Sequence, residues 1–515
     1  MMAGGLFVGT VVLVAATCGS IGITYDEPNY ISASAKAWTW AKEAAGGVTG
    51  RGRVGAPLID AYWRQNHERP GFIKLWWGAW MSAGALLGPL VRSRLGTILL
   101  AGILVAAVYL WAAQECNRRV GLLAAVLLLA MPRFFFDLHL AALDAPVAAF
   151  CFLSAWAYWR LWRAPSLRRA LLAGLMLGCA AGTKGNVLPA AVALGMWWLA
   201  RERRAVWQTV VATVVVAPLW FVATWPWLWP APLARMWEYV TFHGKFPLLG
   251  AYVLGRMQDP APFYTPVITL LATTPLLTLG LGAVSVAQRR SRFWQFLTFN
   301  MAVHWLYFAL PGQPKFNGVR LFLPAFPFLA CMAAMGAEWL AKAARAGRAT
   351  DAFKRWALPA IGVIAALLGV RSVGLSHPYE LAFYNSAVGG ARGAHRLGFE
   401  SIYWGSAYLQ ALPYLNRTLP SRGTLFVTPV GCMSLLETYQ KGGMLRPDIR
   451  IVGGPQDYRD ADLVVIQCQQ SEFVDLSSAL YRSGRPSFRL LYEGVPLLLA
   501  HDRPAVAQVV RRPKE

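Results

Sequence analysis

Two adjacent carboxylates, Asp26 and Glu27, are the residues of this sequence best suited to chemistry. They follow directly on residues 4–23, an uncharged apolar segment of about twenty residues, the length that crosses a bilayer. Acidic residues at such a boundary are costly unless they are solvated, paired or used. The pair either caps the following helix at the water boundary or accepts a proton from a hydroxyl or amine.

Further candidates interrupt apolar segments along the chain. Asp137, His139 and Asp144 fall in one polar stretch, and Asp144 precedes Ala145-Pro146, a pattern typical of a helix N-terminus. Lys184 stands alone where two apolar segments meet, so it either anchors a helix end at the interface or serves a site. The remaining candidates from the later loops are His243, Arg256, Lys315 and Arg320, for which a solvated outer loop is the alternative.

Carboxylates that converge with cations beside a lipid-accessible face favour one kind of chemistry. A carboxylate takes a proton from the acceptor, while Lys and Arg hold a phosphate and stabilise the charge that develops on it as a leaving group. This layout suits group transfer from a lipid-phosphate donor. The sequence requires no cofactor; Asp and His in the outer loops could bind a divalent metal ion, but no spacing demands one.

Composition indicates an integral membrane protein. Of 515 residues 56% are hydrophobic and 14% charged, against about a quarter charged in soluble domains, and the mean hydropathy is +0.41. The 23 Trp residues suit aromatic belts at the membrane interfaces. The net charge of +24 is spread over short clusters between apolar segments, which predicts contact with lipid headgroups and argues against nucleic-acid binding.

The distribution of basic residues predicts the topology. If residues 71–91, which contain Lys74, do not cross the bilayer, most Lys and Arg of the short loops fall on one side, which is then cytoplasmic. This predicts a polytopic α-helical protein of about eleven transmembrane helices, with a cytoplasmic N-terminus and everything after about Val373 outside. The predicted spans are 4–23, 95–113, 120–136, 145–162, 168–183, 185–200, 206–224, 264–286, 294–311, 319–340 and 356–374.

The last part of the chain has a different character. Short β-rich runs at 424–428, 449–452 and 461–466 alternate with helical stretches such as 471–481, which predicts a small α/β domain. We therefore divide the chain into a transmembrane domain, 1–375, with a first outer loop at 25–94, and an extracytoplasmic α/β domain, 376–515. Cys432 and Cys468 could form a disulfide if that domain is extracytoplasmic.

Several motifs resemble those of the GT-C glycosyltransferases, in particular the protein O-mannosyltransferases and the lipid A aminoarabinose transferases. The segment 26–30 resembles their acidic first-loop motif, 68–74 their "(E/H)(K)PPL" stretch, with Gly71 in place of the second Pro, and 178–185 their "GLALLTKG" segment. Tyr252 to Tyr264 is similar to their "YLGR…PWYY" region, and Asp144 matches an acidic position of the second outer loop. The resemblance covers roughly residues 1–345.

The resemblance implies an inverting sugar transferase of the bacterial inner membrane that uses a polyprenyl-phosphate sugar. It implies that Asp26 is the general base and that Glu27, Asp144 and Lys184 shape the site. It also adds Tyr30, Arg69 and Lys74 as candidates. The predicted phosphate-binding residues are Lys74, Lys184, Arg256, Lys315 and Arg320. The acceptor, whether glycan, lipid or protein, stays open.

Two other functions fit the same sequence. A transporter or flippase for a lipid-linked or anionic solute would normally show inverted repeats and charges near the bilayer midplane, whereas here no repeat is evident and the charges lie at the outer boundary. An envelope scaffold would not need the acidic pair.

Overall fold

The computed structural model describes residues 1–46, 55–245, 249–346, 351–483 and 485–510. Four helices precede the second predicted span: α1 Met2–Thr17, α2 Glu27–Gly46, α3 Ala56–Trp63 and α4 Phe72–Ala83. Helix α4 has 12 residues, about 18 Å at 1.5 Å per residue, and is too short for a hydrocarbon core of about 30 Å. That the 71–91 segment does not cross the bilayer stays a prediction, because the helix Arg118–Leu129, in a predicted span, has the same length.

Helices dominate the next three hundred residues. They are α5 Pro89–Glu115, α6 Arg118–Leu129, α7 Pro132–Asp137, α8 Asp144–Arg163, α9 Leu167–Ala181, α10 Leu188–Arg201, α11 Val206–Val210, α12 Ala217–Ala223, α13 Pro232–Gly244, α14 Thr265–Thr273, α15 Leu276–Val284, α16 Arg292–Leu306, α17 Phe326–Ala346 and α18 Asp351–Ser376. A π-helical segment, Val211–Val216, joins α11 to α12. An antiparallel hairpin, β1 Ala251–Val253 and β2 Arg256–Gln258, lies between α13 and α14.

Every predicted span is helical, but the count of eleven is not confirmed. Within the described ranges, five helices are long and apolar enough to cross a membrane: Met2–Ser20, Pro89–Glu115, Val206–Ala223, Arg320–Ala344 and Trp356–Ser376. The pair α14 and Leu276–Gln288 makes a sixth if it is one span bent by 111°. The other predicted spans are shorter or more polar; the one at 120–136 is interrupted where α6 ends and Pro132 begins α7.

The helices pack around a core formed mainly by α5, α6, α8, α16 and α17. The apolar part of the Arg320–Ala344 helix is fully buried, whereas only 17% of the apolar part of α1 and of α18 is buried. Large apolar side chains such as Val12, Val214 and Val370 remain more than half exposed. In a membrane protein such faces are the ones that meet lipid.

The C-terminal domain contains a mixed five-stranded sheet. Its helices are α19 Gly390–Arg396, α20 Tyr408–Thr418, α21 Met433–Lys441, α22 Asp475–Ser483 and α23 Arg503–Val510, and its strands are β3 Thr424–Thr428, β4 Arg450–Val452, β5 Leu463–Gln467, β6 Phe488–Tyr492 and β7 Val495–Asp502. The strand order is β4-β3-β5-β7-β6, with β3 parallel to β4 and β5 and with β7 antiparallel to β5 and β6. Cys432 and Cys468 are buried free thiols.

One apolar cluster joins this domain to one end of the helical bundle. Ile21 and Phe136, at the ends of the first and third predicted spans, pack in the same cluster as Tyr403 and Trp404. The C-terminal domain therefore packs against the residues that follow α1 and against α7.

Candidate active site

Four charged residues from distant parts of the chain form a continuous series of ion pairs. Arg320 donates from Nη2 to Asp26 Oδ2 at 3.0 Å and from Nε to Asp144 Oδ2 at 3.2 Å. Lys184 Nζ lies 2.5 Å from the other oxygen of Asp144, Oδ1. The order Asp26–Arg320–Asp144–Lys184 alternates two anions with two cations, so the charges compensate one another in a largely buried place.

Local structure explains how each member reaches this place. Asp26 immediately precedes α2, and Asp144 is the first residue of α8, where the helix dipole favours a carboxylate. Lys184 occupies the turn between α9 and α10, and Arg320 begins a 3₁₀ segment that leads into α17. The site thus lies where four helical segments begin or end at one side of the bundle.

Asp26 is the member that keeps an accessible oxygen. Its side chain is 27% exposed, whereas those of Arg320 and Asp144 are 9% and 1% exposed. Oδ2 accepts from both Arg320 and Trp404 Nε1, the latter at 2.8 Å. In the part of the chain that the structure describes, Oδ1 has no hydrogen-bond partner. A carboxylate with one oxygen anchored and one open is suited to accept a proton.

Trp404 brings the C-terminal domain into the site. Besides its bond to Asp26, its ring lies 3.9 Å beneath the Arg320 guanidinium, a cation–π contact. Its backbone oxygen accepts from Tyr25 N at 3.2 Å, and its φ of +75° is unusual for a bulky residue. Sequence reasoning did not identify Trp404 as a site residue.

Glu27 is tied into a fully buried ion pair and has no free oxygen. Arg94, which the sequence analysis did not single out, donates to both carboxylate oxygens, at 2.8 and 2.7 Å. Further bonds come from Thr24 N at 2.9 Å and from Ala141 N at 2.9 Å. Both side chains are 0% exposed. These bonds hold Glu27, and with it the neighbouring Asp26, in a fixed position.

A second cationic group adjoins Lys184. Arg69 Nη1 lies 3.5 Å from His243 Nε2, and His243 in turn lies close to Gly185. Burial lowers the pKa of Lys184, and the neighbouring Asp144 carboxylate opposes this shift. Arg69 and His243 therefore stand beside the Lys184 end of the series.

Two other predicted phosphate ligands donate to backbone carbonyls of their own loops. Lys74 is buried and donates to Asn66 O and, at 3.0 Å, to Arg69 O, and burial lowers its pKa to about 7. Lys315 donates to Leu310 O and Gln313 O at 2.9 and 3.0 Å. Both donate to carbonyls of their own loops in this structure, and their contact with phosphate stays a prediction.

The remaining candidates lie apart from the series. His139 is buried with both nitrogens bonded, to Phe135 O and Thr17 Oγ1, and Tyr30 packs against Trp77. Arg256 is exposed on the hairpin. Asp137 is buried, and neither of its oxygens finds a hydrogen-bond partner among the described residues.

No candidate metal centre is found within the residues that the structure covers: no three His, Cys, Asp or Glu side chains cluster so as to hold an ion.

Comparisons with known proteins agree with the motifs. Residues 76–229 match the family model described as dolichyl-phosphate-mannose-protein mannosyltransferase. The fold resembles ArnT from Cupriavidus metallidurans bound to undecaprenyl phosphate, with a TM-score of 0.51 and 16% identity over 99% of this chain and 99% of that chain. The apo state of ArnT gives a TM-score of 0.52 and 16% identity over 98% and 99%. Among curated proteins, none matches the chain by sequence.

These comparisons confirm the resemblance and the general architecture. A family match that begins in α4 and ends after α12 covers much of the predicted catalytic domain, and the structural likeness extends over both domains. At this level of identity the likeness establishes the fold, a set of apolar helices with a C-terminal sheet region.

Proposed function

We propose that the protein is a membrane glycosyltransferase that moves a sugar from a polyprenyl phosphate to an acceptor at the outer face of the membrane. The observation that carries the proposal is Asp26, whose Oδ2 is fixed by Arg320 and Trp404 while Oδ1 stays open. The partial family match and the likeness to a protein that binds undecaprenyl phosphate support the donor class.

The reaction follows from the two ends of the ion-pair series. At one end, Asp26 Oδ1 takes the proton of an acceptor hydroxyl or amine as its oxygen or nitrogen attacks the anomeric carbon. The bond from that carbon to the phosphate oxygen breaks, and polyprenyl phosphate leaves with the electron pair. A single displacement of this kind inverts the anomeric centre, because the attack comes from the face opposite the leaving group.

The cations at the other end suit the leaving phosphate. Lys184 and Arg69 are the cations beside the turn between α9 and α10, and fixed cations stabilise negative charge that grows in the transition state. Burial lowers the pKa of His243, so its imidazole accompanies them without adding charge. Arg69 offers a planar guanidinium that can hold a phosphate through two donors. Asp144 keeps Lys184 in place through its 2.5 Å contact.

The orientation of the chain completes the proposal. From the distribution of basic residues among the loops we infer a cytoplasmic N-terminus and an outer C-terminal domain, with the bacterial inner membrane as the location. A reporter fused after Glu515, which lies outside the described residues, should behave as exported. A cytoplasmic readout would contradict this orientation and the outer location of Asp26.

Asp26→Asn is the decisive test, because it keeps size and hydrogen bonding while removing basicity. With purified protein and a panel of polyprenyl-phosphate sugars, transfer should fall at least ~10²-fold, the typical contribution of general-base catalysis. Asp60→Asn is the matched control: Asp60 lies in the same predicted outer loop, pairs with Arg235 and is 40% exposed, and its variant should stay within a few-fold of wild type. Wild-type transfer by a folded Asp26→Asn protein would refute the enzyme and favour a transporter or flippase.

A further inference from the structure

A cavity of about 40 Å³ lies between the membrane helices and the C-terminal domain, beside the ion-pair series. Its walls include Arg133 from α7, Thr265 from α14, and Tyr384, Glu400 and Tyr403 from the C-terminal domain, and we call it the Arg133 pocket. At about 10–15 Å³ for each water-sized group, it has room for about three such groups, the number of terminal oxygens on a phosphate monoester.

Three polar atoms on the wall of the Arg133 pocket lack partners. Arg133 Nη2, Thr265 Oγ1 and Tyr403 Oη are buried, and within the described ranges none of them forms a hydrogen bond. Buried polar atoms in native proteins are nearly always bonded to protein, water or ligand. Three residues that line one cavity and each carry an unbonded donor therefore indicate that the cavity receives hydrogen-bond acceptors.

The charge of the pocket points to an anion. Arg133 is 2% exposed, its Nε donates to Phe383 O at 3.2 Å, and its guanidinium lies 4.5 Å from the ring centre of Tyr384. No ion pair to Arg133 occurs in the portion of the chain that the structure describes. A buried guanidinium without a carboxylate partner is destabilising, so an incoming anion would supply the missing charge.

Two carboxyls act electrostatically on Arg133, those of Asp137 and Glu400, and among the described residues neither forms an ion pair with it. Glu400 accepts from Ser471 N at 3.0 Å, and burial raises its pKa to about 7. Near neutral pH a large fraction of this carboxyl is protonated and can donate a hydrogen bond to an anion.

Two short segments connect the Arg133 pocket to Asp26. Tyr403 lines the pocket, and the next residue, Trp404, bonds Asp26. Gly318 also lines it, close to Tyr403 Oη and Arg133 Nη1, and Arg320, two residues later, bonds Asp26 as well. The pocket therefore adjoins the Trp404 end of the series, whereas the cations assigned to the donor phosphate stand at the Lys184 end.

From this arrangement we infer that the Arg133 pocket binds a phosphate or carboxylate group of the acceptor and so places the attacking hydroxyl or amine at Asp26. That the bound group belongs to the acceptor rests on the proposed function. That the pocket binds an anion rests only on the pocket itself. Arg133 pairs with the anion through its guanidinium, and the hydroxyls of Thr265 and Tyr403 donate to its oxygens.

The anion site is tested by binding, without any sugar donor. Inorganic phosphate should raise the unfolding temperature of the purified full-length protein in detergent, because a ligand that binds only the folded state stabilises it. Tyr403→Phe removes one unbonded hydroxyl at constant shape and should weaken phosphate binding about tenfold, in the range for a hydrogen bond to a charged group. Arg133→Gln should remove the part of the shift that the Arg133 pocket contributes and leave only the contribution of the cations at the Lys184 end, while the exposed Arg168→Gln should keep the whole shift.

Two further arms separate the sources of the anion. Phosphatidate in nanodiscs should stabilise wild type more than diacylglycerol does if the acceptor is a lipid, whereas a response to inorganic phosphate alone indicates a soluble acceptor. No stabilisation by either phosphate form would overturn the inference, as would equal stabilisation of wild type and Tyr403→Phe. Should Arg133→Gln fail to fold, Tyr403→Phe decides.

The same binding assay keeps this inference separate from the enzyme assignment. Asp26→Asn should still respond to phosphate, because Asp26 does not line the pocket. Phosphate binding without transfer activity would support the anion site and refute the transferase. Transfer activity with no phosphate response in wild type would support the transferase and refute the anion site. In an active preparation, Tyr403→Phe should raise the KM of an anionic acceptor and leave that of the donor unchanged.

Discussion

Replacing Glu27 by Gln should destabilise the protein severely, although the change alters only one atom. The Glu27 carboxylate accepts at Oε1 from Arg94 Nε and Ala141 N, and at Oε2 from Arg94 Nη2 and from the backbone and hydroxyl of Thr24. An amide NH₂ would face two donors at the Oε1 position or three at the Oε2 position. It would also leave Arg94, 0% exposed, without a counter-charge.

The cost follows from that geometry. Breaking a buried ion pair by removing one partner typically costs about 3–5 kcal/mol, and complete burial places Glu27→Gln in that range. Arg94 also donates to Ile21 O and Gly22 O, at 2.9 and 2.8 Å, so Arg94→Met should cost a similar amount. In the double variant the unpaired charge is gone, and its destabilisation should be at least about 1 kcal/mol smaller than the sum of the two single effects.

Equilibrium unfolding in mixed detergent micelles measures this cycle. Asp60→Asn serves as the reference for a carboxylate-to-amide change at an exposed ion pair, where a shift of at most about 1 kcal/mol is expected. A free energy of unfolding of Glu27→Gln within about 0.5 kcal/mol of the wild-type value would refute the reasoning. So would a double variant whose destabilisation equals the sum of the two single effects.

Two further predictions concern Lys184 and Glu400. Lys184→Ala should cost about 2–4 kcal/mol in transition-state stabilisation if the ammonium holds the leaving phosphate, whereas an interfacial anchor would leave the transfer rate, measured at equal protein level, within a few-fold of wild type. The pKa of Glu400 is raised from 4.5 to about 7, so the folded state binds more protons than the unfolded state between those values. Stability should therefore fall as pH rises from about 4.5 to 7, by up to about 1.4 kcal/mol per unit. The unfolding temperature of Glu400→Gln should change less with pH over this range than that of wild type. An identical pH dependence for both proteins would contradict the raised pKa of Glu400.

Sequence reasoning located the parts of the site that carry a local signature. Asp26 follows an apolar segment, Asp144 precedes Ala-Pro at a helix start, and Lys184 interrupts two apolar runs, so each stands out from its neighbours. The same reasoning found β3 to the residue and located β4 and β5, because those strands are short runs of β-branched and aromatic residues. It did not predict β6 and β7, which complete the sheet.

The orientation of individual side chains could not be predicted in this way. Lys74, Lys184 and Lys315 are all lone cations near predicted membrane boundaries, yet only Lys184 contacts a carboxylate of the ion-pair series. The other two donate to carbonyls of their own loops. Arg94 likewise resembles any basic residue at the start of a span, and only its contact with Glu27, 67 residues away, distinguishes it.

The site residues come from segments that no local pattern connects. Asp26 bonds Arg320 across 294 positions and Trp404 across 378, so the anchoring of its carboxylate depends on both domains at once. The membrane helices supply compensating charges, which allow two carboxylates and two cations to lie together in a largely buried place. The C-terminal domain supplies the indole that fixes one oxygen of Asp26 and the tyrosine that lines the adjoining pocket. Because Tyr403 and Trp404 are consecutive, a displacement of that domain would change the proposed base and the proposed acceptor pocket together.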